Sequence, residues 1–429
     1  MKKKVLLILV SMLLVFSLAA RGTDESKPGK DVTISFYGRF DPQGSDVESK
    51  YFLEKVKDFN NEANGINVEM VFLPQEQDYL NRLSTDMASG NFPSVFMEYG
   101  GSRIIDYMDA NLLLDLSKSF KEDPNWYNSV GETYWQTVKI DGYDGIYGVP
   151  FGAYIICLVY NQKYLNDYNL AVPTTWKELM DASAVLMKNG IQPFIVGENH
   201  NYRFGHLFSN LAITKYGEEA IKIGKREIAY DSKEAIEIYQ MMIDAYEAGY
   251  FGKNILSVNS SEERAFHGEG RSAFMWDLTS RIYWLEDTKE LNAGNLKITH
   301  FPAVNSKFNT WAQGGASQAW YVTNKGSDAE VDASVTFLKY ITSQEFISGL
   351  AAKTNATYAI NTDSSSDIYI YQDVADVMAN TKMAIQELQN FDLNPGAVNI
   401  VRDALQEIAL GATAVEIGKM ITDGFASLE

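Results

Sequence analysis

Several short stretches of this 429-residue chain place an aromatic ring beside a side chain able to make directed hydrogen bonds. They are Tyr37-Gly38-Arg39, Glu98-Tyr99-Gly100-Gly101, Asn201-Tyr202, Trp276-Asp277, and Trp311 followed by Gln313-Gly314-Gly315, with Tyr154 beside a glycine-flanked turn. These residue types bind a solute more readily than they transform one. A ring face accepts apolar C–H surface or a cation, an arginine or carboxylate makes paired, charge-assisted hydrogen bonds, and glycine lets a ligand approach the backbone. A solute with many hydroxyls and an apolar face needs this mixture. Each stretch also has an ordinary reading, as a turn with solvated charges or, for Trp276, as a core ring.

Other chemistries find little support. The four histidines, at 200, 206, 267 and 300, form no HExxH or paired Cys/His spacing, and no P-loop, GxGxxG or GxSxG run occurs, so no metal, cofactor or catalytic nucleophile is expected. The single cysteine, Cys157, sits inside an apolar run and is expected to be inert core. With 37 Lys plus Arg against 56 Asp plus Glu, the net charge of -19 argues against a nucleic-acid partner. A secreted carbohydrate-active hydrolase is the alternative. It would need two carboxyl groups at a defined separation, and the strand-end acids Glu98 and Asp277 serve equally well as hydroxyl acceptors.

The elements that must position these residues follow from periodicity. Lys2-Lys3-Lys4, the apolar run Val5 to Phe16 and the small-residue end at Ala19-Ala20 have the three regions of a secretory signal, so residues 1–21 are expected to be removed and 22–30 to form a polar tether. Val32, Ile34 and Phe36 alternate as a strand; Phe52, Val56 and Phe59 are spaced as a helix; Ile66 to Phe72 alternates; Leu80, Leu83 and Met87 are helical; Ser94 to Tyr99 is a strand. This βαβαβ order predicts an α/β protein with parallel-rich sheets flanked by helices, whose ligands bind beyond the carboxyl ends of the strands. Asp141 to Asn161, with three glycines in its first eight residues and a β-branched run after Pro150, reads as the hinge to a second lobe. There Thr175-Trp176-Lys177-Glu178 is a capping box, Ile191 to Val196 a strand, Ala273 to Trp276 a short strand that should put Trp276 on the cleft floor, Leu296 to Phe301 another, and the remainder mostly helical.

Three runs carry a family resemblance: Asp141-Gly142-Tyr143-Asp144-Gly145-Ile146-Tyr147-Gly148-Val149-Pro150, then Tyr160-Asn161-Gln162-Lys163, then Val172-Pro173-Thr174-Thr175-Trp176-Lys177-Glu178-Leu179. In order and spacing they resemble the extracellular solute-binding proteins of family 1, the sugar-binding receptors of ABC importers. Phe337 to Ser343 resembles the family's later helix. The resemblance implies a two-lobed periplasmic-binding-protein-like fold of type II, with 31–152 plus 301–342 as the N-terminal lobe and 153–300 plus 343–429 as the C-terminal lobe. It further implies an oligosaccharide ligand, ABC permease subunits as partners, a monomer, no catalysis, and export to the extracellular face of the bacterial cell membrane or to the periplasm. Arg21 stands where the family's lipoproteins carry the acylated cysteine, so a lipid anchor is not expected.

Overall fold

The computed structural model describes residues 32–43, 46–62, 64–360, 362 and 366–428. The expected signal, tether and Arg21 lie outside them. The first sheet is built from β1 (Val32–Gly38), β2 (Ile66–Phe72) and β3 (Val95–Glu98), linked through helices α1 (Val47–Asn61) and α2 (Glu76–Ser89). β1 pairs in parallel with both β2 and β3, as two successive crossovers require. The sheet is completed in the order β2-β1-β3-β9-β4 by β4 (Gly148–Pro150) and β9 (Ala319–Val322), both antiparallel to their neighbours.

The second sheet is centred on β5 (Ala153–Asn161), buried along its whole length as its β-branched run predicts. Around it lie β6 (Phe274–Leu278), β7 (Leu296–His300), β8 (Trp311–Ala316) and β10 (Met383–Ile385). Its faces are covered by helices that include α3 (Trp176–Lys188), α4 (Tyr202–Tyr216), α5 (Lys233–Glu247) and α6 (Ser260–Gly268). The capping box at α3 is formed, with Thr175 Oγ1 accepting from the Glu178 amide and Glu178 accepting from the Thr175 amide.

Three differences from the sequence expectation have physical causes. Ile191 to Val196 is extended, with the Phe194 and Val196 amides donating to Tyr250 and Phe251 carbonyls, but it does not form a strand; Pro193 lacks a donor and breaks the ladder. Trp311 to Val322, read in the sequence only for its Gln313-Gly314-Gly315 run, is two strands in different sheets, broken at Ser317-Gln318. Helices α7 (Asp328–Ile341) and α8 (Gln344–Thr354) both pack on the first lobe: Phe346, Ile347 and Leu350 join its core, and the Tyr51 hydroxyl donates to the Phe346 carbonyl at 2.9 Å. Residues 301–316 therefore sit with the second sheet and 343–354 with the first, which shifts the expected lobe boundaries at both places. Beyond α8, helices α9 (Ile370–Asn380), α10 (Gly396–Gln406) and α11 (Ala414–Phe425) return to the second lobe.

Gly314, expected among ligand-contacting residues, lies where β8 crosses β5: a Cβ there would stand 2.4 Å from the Tyr154 carbonyl oxygen. Gly314→Ala should therefore cost about 1–3 kcal/mol of stability by overpacking, measured by urea unfolding. An unchanged midpoint would show that the two strands can separate at no cost.

Candidate functional site

Between the lobes lies a cavity of about 420 Å³. Its first-lobe wall is made by residues just past β1 and β3 and by the start of α1: Arg39, Tyr99, Asp46, Val47 and Glu48. The second-lobe wall is the segment leaving β6, with Leu278, Ser280, Arg281, Tyr283 and Glu286. The floor is the set of segments that cross between lobes, with Gly152, Ser317, Gln318, Thr357 and Tyr358. This is the carboxyl-end geometry of an α/β cleft on both sides.

On the first lobe, Arg39 Nη1 donates to the Tyr99 hydroxyl at 2.7 Å, and the Arg103 guanidinium lies 5.0 Å from the centre of the same ring. Tyr99 is thus fixed as a polar-edged platform between two cations. On the second lobe Arg281 Nη1 donates to the Tyr283 hydroxyl at 3.0 Å, repeating the arginine–tyrosine pairing across the cleft. Burial and the neighbouring Asp46 raise the Glu48 carboxyl, while Arg281 and Arg39 act from opposite lobes to lower it. Glu286 accepts from Asn355 Nδ2 at 3.3 Å and from the Tyr371 hydroxyl. Rings, fork-shaped donors and carboxylate acceptors therefore converge on one space, able to hold a polar solute with an apolar face.

Other residues singled out by sequence lie elsewhere. Tyr37 points into the first-lobe core and donates to Asp86 Oδ2 at 2.8 Å. Glu98 is buried, with Oε1 accepting from the Tyr99 amide at 2.7 Å. Gly100 packs on the Thr137 carbonyl, 2.0 Å from where a Cβ would be. Tyr154 is buried in the second sheet, its hydroxyl accepting from Gln313 Nε2 at 2.9 Å, and burial raises its phenol. Trp311 packs edge-on against Phe308. Asn201 Nδ2 donates to Asp403 Oδ1 at 2.6 Å and Tyr202 packs beside His206. Cys157 is buried, and burial pushes its thiol up.

Trp276 is a correction. Its ring is 1% exposed and packs 5.4 Å from Phe194 and 5.5 Å from Phe251, in the second-lobe core and not on a cleft floor. Asp277 is corrected with it: fully buried, it binds Arg264 at 2.5 and 3.0 Å and Arg203 at 3.2 Å, and its Oδ1 accepts from the Leu278 amide at 2.8 Å. Burial opposes its charge, but the two arginines hold the carboxyl well below the usual range. Buried and already accepting from four donors, the carboxylate is not presented to a solute in the cleft. Asp277 instead fixes the backbone where β6 releases the chain toward Arg281 and Tyr283. The strand expected to end at Trp276 runs on to Leu278; carrying the carboxyl-end rule two residues further points to those two side chains.

A second interlobe cavity, about 580 Å³, lies on the β10 side and is lined by Gln136, Lys139, Asp141, Lys225, Gln386 and Asn390. Lys225 pairs with Asp141 across it. Next in the chain to Gln386, Glu387 pairs with Arg402; burial opposes its charge, but Arg402 and His206 hold the carboxyl below its ordinary value. Burial lowers His206 to about 4. Among the described residues no group of three or more His, Cys, Asp or Glu side chains could hold a metal ion, and no helix is long and apolar enough to cross a membrane.

The sequence profile of the bacterial extracellular solute-binding proteins matches residues 44–346. Solved structures of similar fold include a family 1 extracellular solute-binding protein from Bifidobacterium longum subsp. infantis (TM-score 0.74, 19% identity, covering 93% of this chain and 100% of that one). Others are a chitin oligosaccharide binding protein (0.75, 19%, 92% and 100%) and a raffinose-bound solute-binding protein (0.73, 17%, 92% and 99%).

Two outcomes follow from these placements. Trp276→Ala should cost about 3–5 kcal/mol of folding stability while leaving solute affinity within about twofold; a loss of affinity without a loss of stability would return the ring to the cleft. Glu198, with Oε2 accepting from the Phe204 amide at 2.9 Å and Oε1 without a partner among the described residues, is raised by burial from 4.5 to about 8. In that window the unfolded chain ionises this group while the folded chain keeps its proton, so its contribution to stability falls as pH rises, by up to about 1.4 kcal/mol per unit. Glu198→Gln should therefore gain melting temperature relative to the wild type progressively between these two pH values. A constant offset would contradict the assignment.

Proposed function

The chain belongs to the bacterial extracellular solute-binding proteins, and from that premise we propose that it captures a carbohydrate, an oligosaccharide, between its lobes and delivers it to the permease subunits of an ABC transporter. The observation that carries this reading is the facing pair of arginine-held tyrosines, Arg39–Tyr99 and Arg281–Tyr283, in one cleft. A sugar ring stacks its C–H face on a tyrosine and shares its hydroxyls among the adjacent guanidinium, Glu48 and Glu286. The chitin-oligosaccharide-binding and raffinose-bound relatives support the ligand class. The protein acts outside the membrane as a monomer, without an acyl anchor at Arg21, and performs no bond chemistry; its cleft acids Glu48 and Glu286 serve as hydroxyl acceptors.

Calorimetric titration with raffinose, stachyose, xylo-oligosaccharides and chito-oligosaccharides tests this. At least one series should bind with no new reducing ends released, and Tyr99→Ala and Arg281→Ala should each weaken that binding about tenfold or more. Absence of binding across the panel, or release of reducing ends, would overturn the proposal.

A further inference from the structure

The chain contains 22 Phe, 25 Tyr and 7 Trp, yet among the described residues Tyr283 and Trp284 are the only strongly exposed aromatic side chains, at 37% and 47%. Two consecutive rings left in water forgo the burial that drives folding and mark a surface that something covers. Their ring centres lie 5.7 Å apart with 32° between planes. Tyr283 lines the interlobe cavity. Trp284, the next residue, is outside the lining and the more exposed of the two rings. Beneath Trp284, at 6.0 Å, is the Arg264 guanidinium, itself locked by Asp277 at 2.5 Å, so the ring rests on an immobile support. Across the mouth the first lobe presents Val47, 52% exposed and lining the same cavity. Exposed charged side chains stand beside these apolar ones in the same lining, Asp46 next to Val47 and Arg281 near Tyr283.

We propose that Tyr283 and Trp284 form an outer subsite for a glycan chain: the solute is held between the lobes at one end, and its next units leave the cleft over Trp284. This rests on the carbohydrate reading and adds length and direction to it. A mono- or disaccharide filling the interior would leave Trp284 unused, whereas successive sugar faces on a longer chain can follow the step from Tyr283 to Trp284. A partner protein seated on the same rings would leave the binding of free sugars insensitive to Trp284, which the following experiment reads.

The mature chain is titrated calorimetrically with chito- and xylo-oligosaccharides from dimer to hexamer, and with raffinose and stachyose. Within the series that binds, affinity should rise by about three- to tenfold as the chain becomes long enough to reach Trp284, the worth of one aromatic stack. Trp284→Ala should remove this rise and Trp284→Phe retain most of it. Leu410→Ala, an exposed side chain that lines neither cavity, should leave the rise intact. Affinity independent of length, a rise that survives in Trp284→Ala, or an equal loss at every length would each overturn the outer subsite while leaving carbohydrate binding in place. No binding by any sugar would overturn the carbohydrate reading and the subsite with it.

Discussion

The structure depends on a small set of backbone hydrogen bonds where the chain crosses between its two sheets. The Phe151 amide donates to the Gln318 carbonyl at 2.9 Å and Ser317 to Gly152 at 2.8 Å; Ala153 donates to Thr357 at 3.0 Å and Ala359 to Phe151 at 2.7 Å. Three crossing segments are thereby tied side by side, and the lobes can move only as these segments flex together. A Cβ on Gly152 would lie 2.4 Å from Ser317 Oγ and no closer than 3.8 Å to any other atom, so these two crossing segments approach to side-chain contact there. The same residues floor the cleft. A solute held there would touch the elements that set the angle between the lobes, an arrangement in which binding and closure can form one equilibrium.

Each lobe fixes its half of the site differently. In the first, a dense aromatic core around Phe36, Phe52, Phe337 and Trp320 holds the sheet, and Arg39 and Arg103 then hold Tyr99 at its edge. In the second, Asp277 with Arg203, Arg264 and Glu263 forms a buried charge network behind the wall of the cleft. Ion pairs of this kind are a weak source of net stability, but removing one member is costly because it leaves a buried charge unpaired. Their consequence is geometric: Arg264 is held under Trp284, and the backbone at Leu278 is held where the loop to Arg281 begins.

Much of the fold was legible in the sequence because local pattern and tertiary role agree. The βαβαβ alternation, the capping box at Thr175 and the apolar run of β5 each specify one outcome. The lobe boundaries were less legible. Strands β8 and β9 follow each other closely, and nothing in their composition marks Ser317-Gln318 as a crossing between sheets. Helix α8 could have covered either lobe; its apolar face names no partner. Of the residues the carboxyl-end rule picked, Arg39 and Tyr99 line the interlobe cavity, while Trp276 and Asp277 lie in the core, since a tryptophan beside a carboxylate serves a core with a buried ion pair as readily as a cleft. Arg281 and Tyr283 lie on a 3-10 turn without periodicity, and Glu48 is indistinguishable in sequence from any acid in a first helical turn.

The central claim is that the tied crossing segments form a hinge and that a sugar bridging the two arginine–tyrosine pairs closes it. Small-angle scattering of the protein, with and without a saturating oligosaccharide shown by titration to bind, tests this directly. The radius of gyration should fall on binding, with the scattering from each lobe otherwise unchanged. An identical radius in the two states, with binding demonstrated, would contradict it.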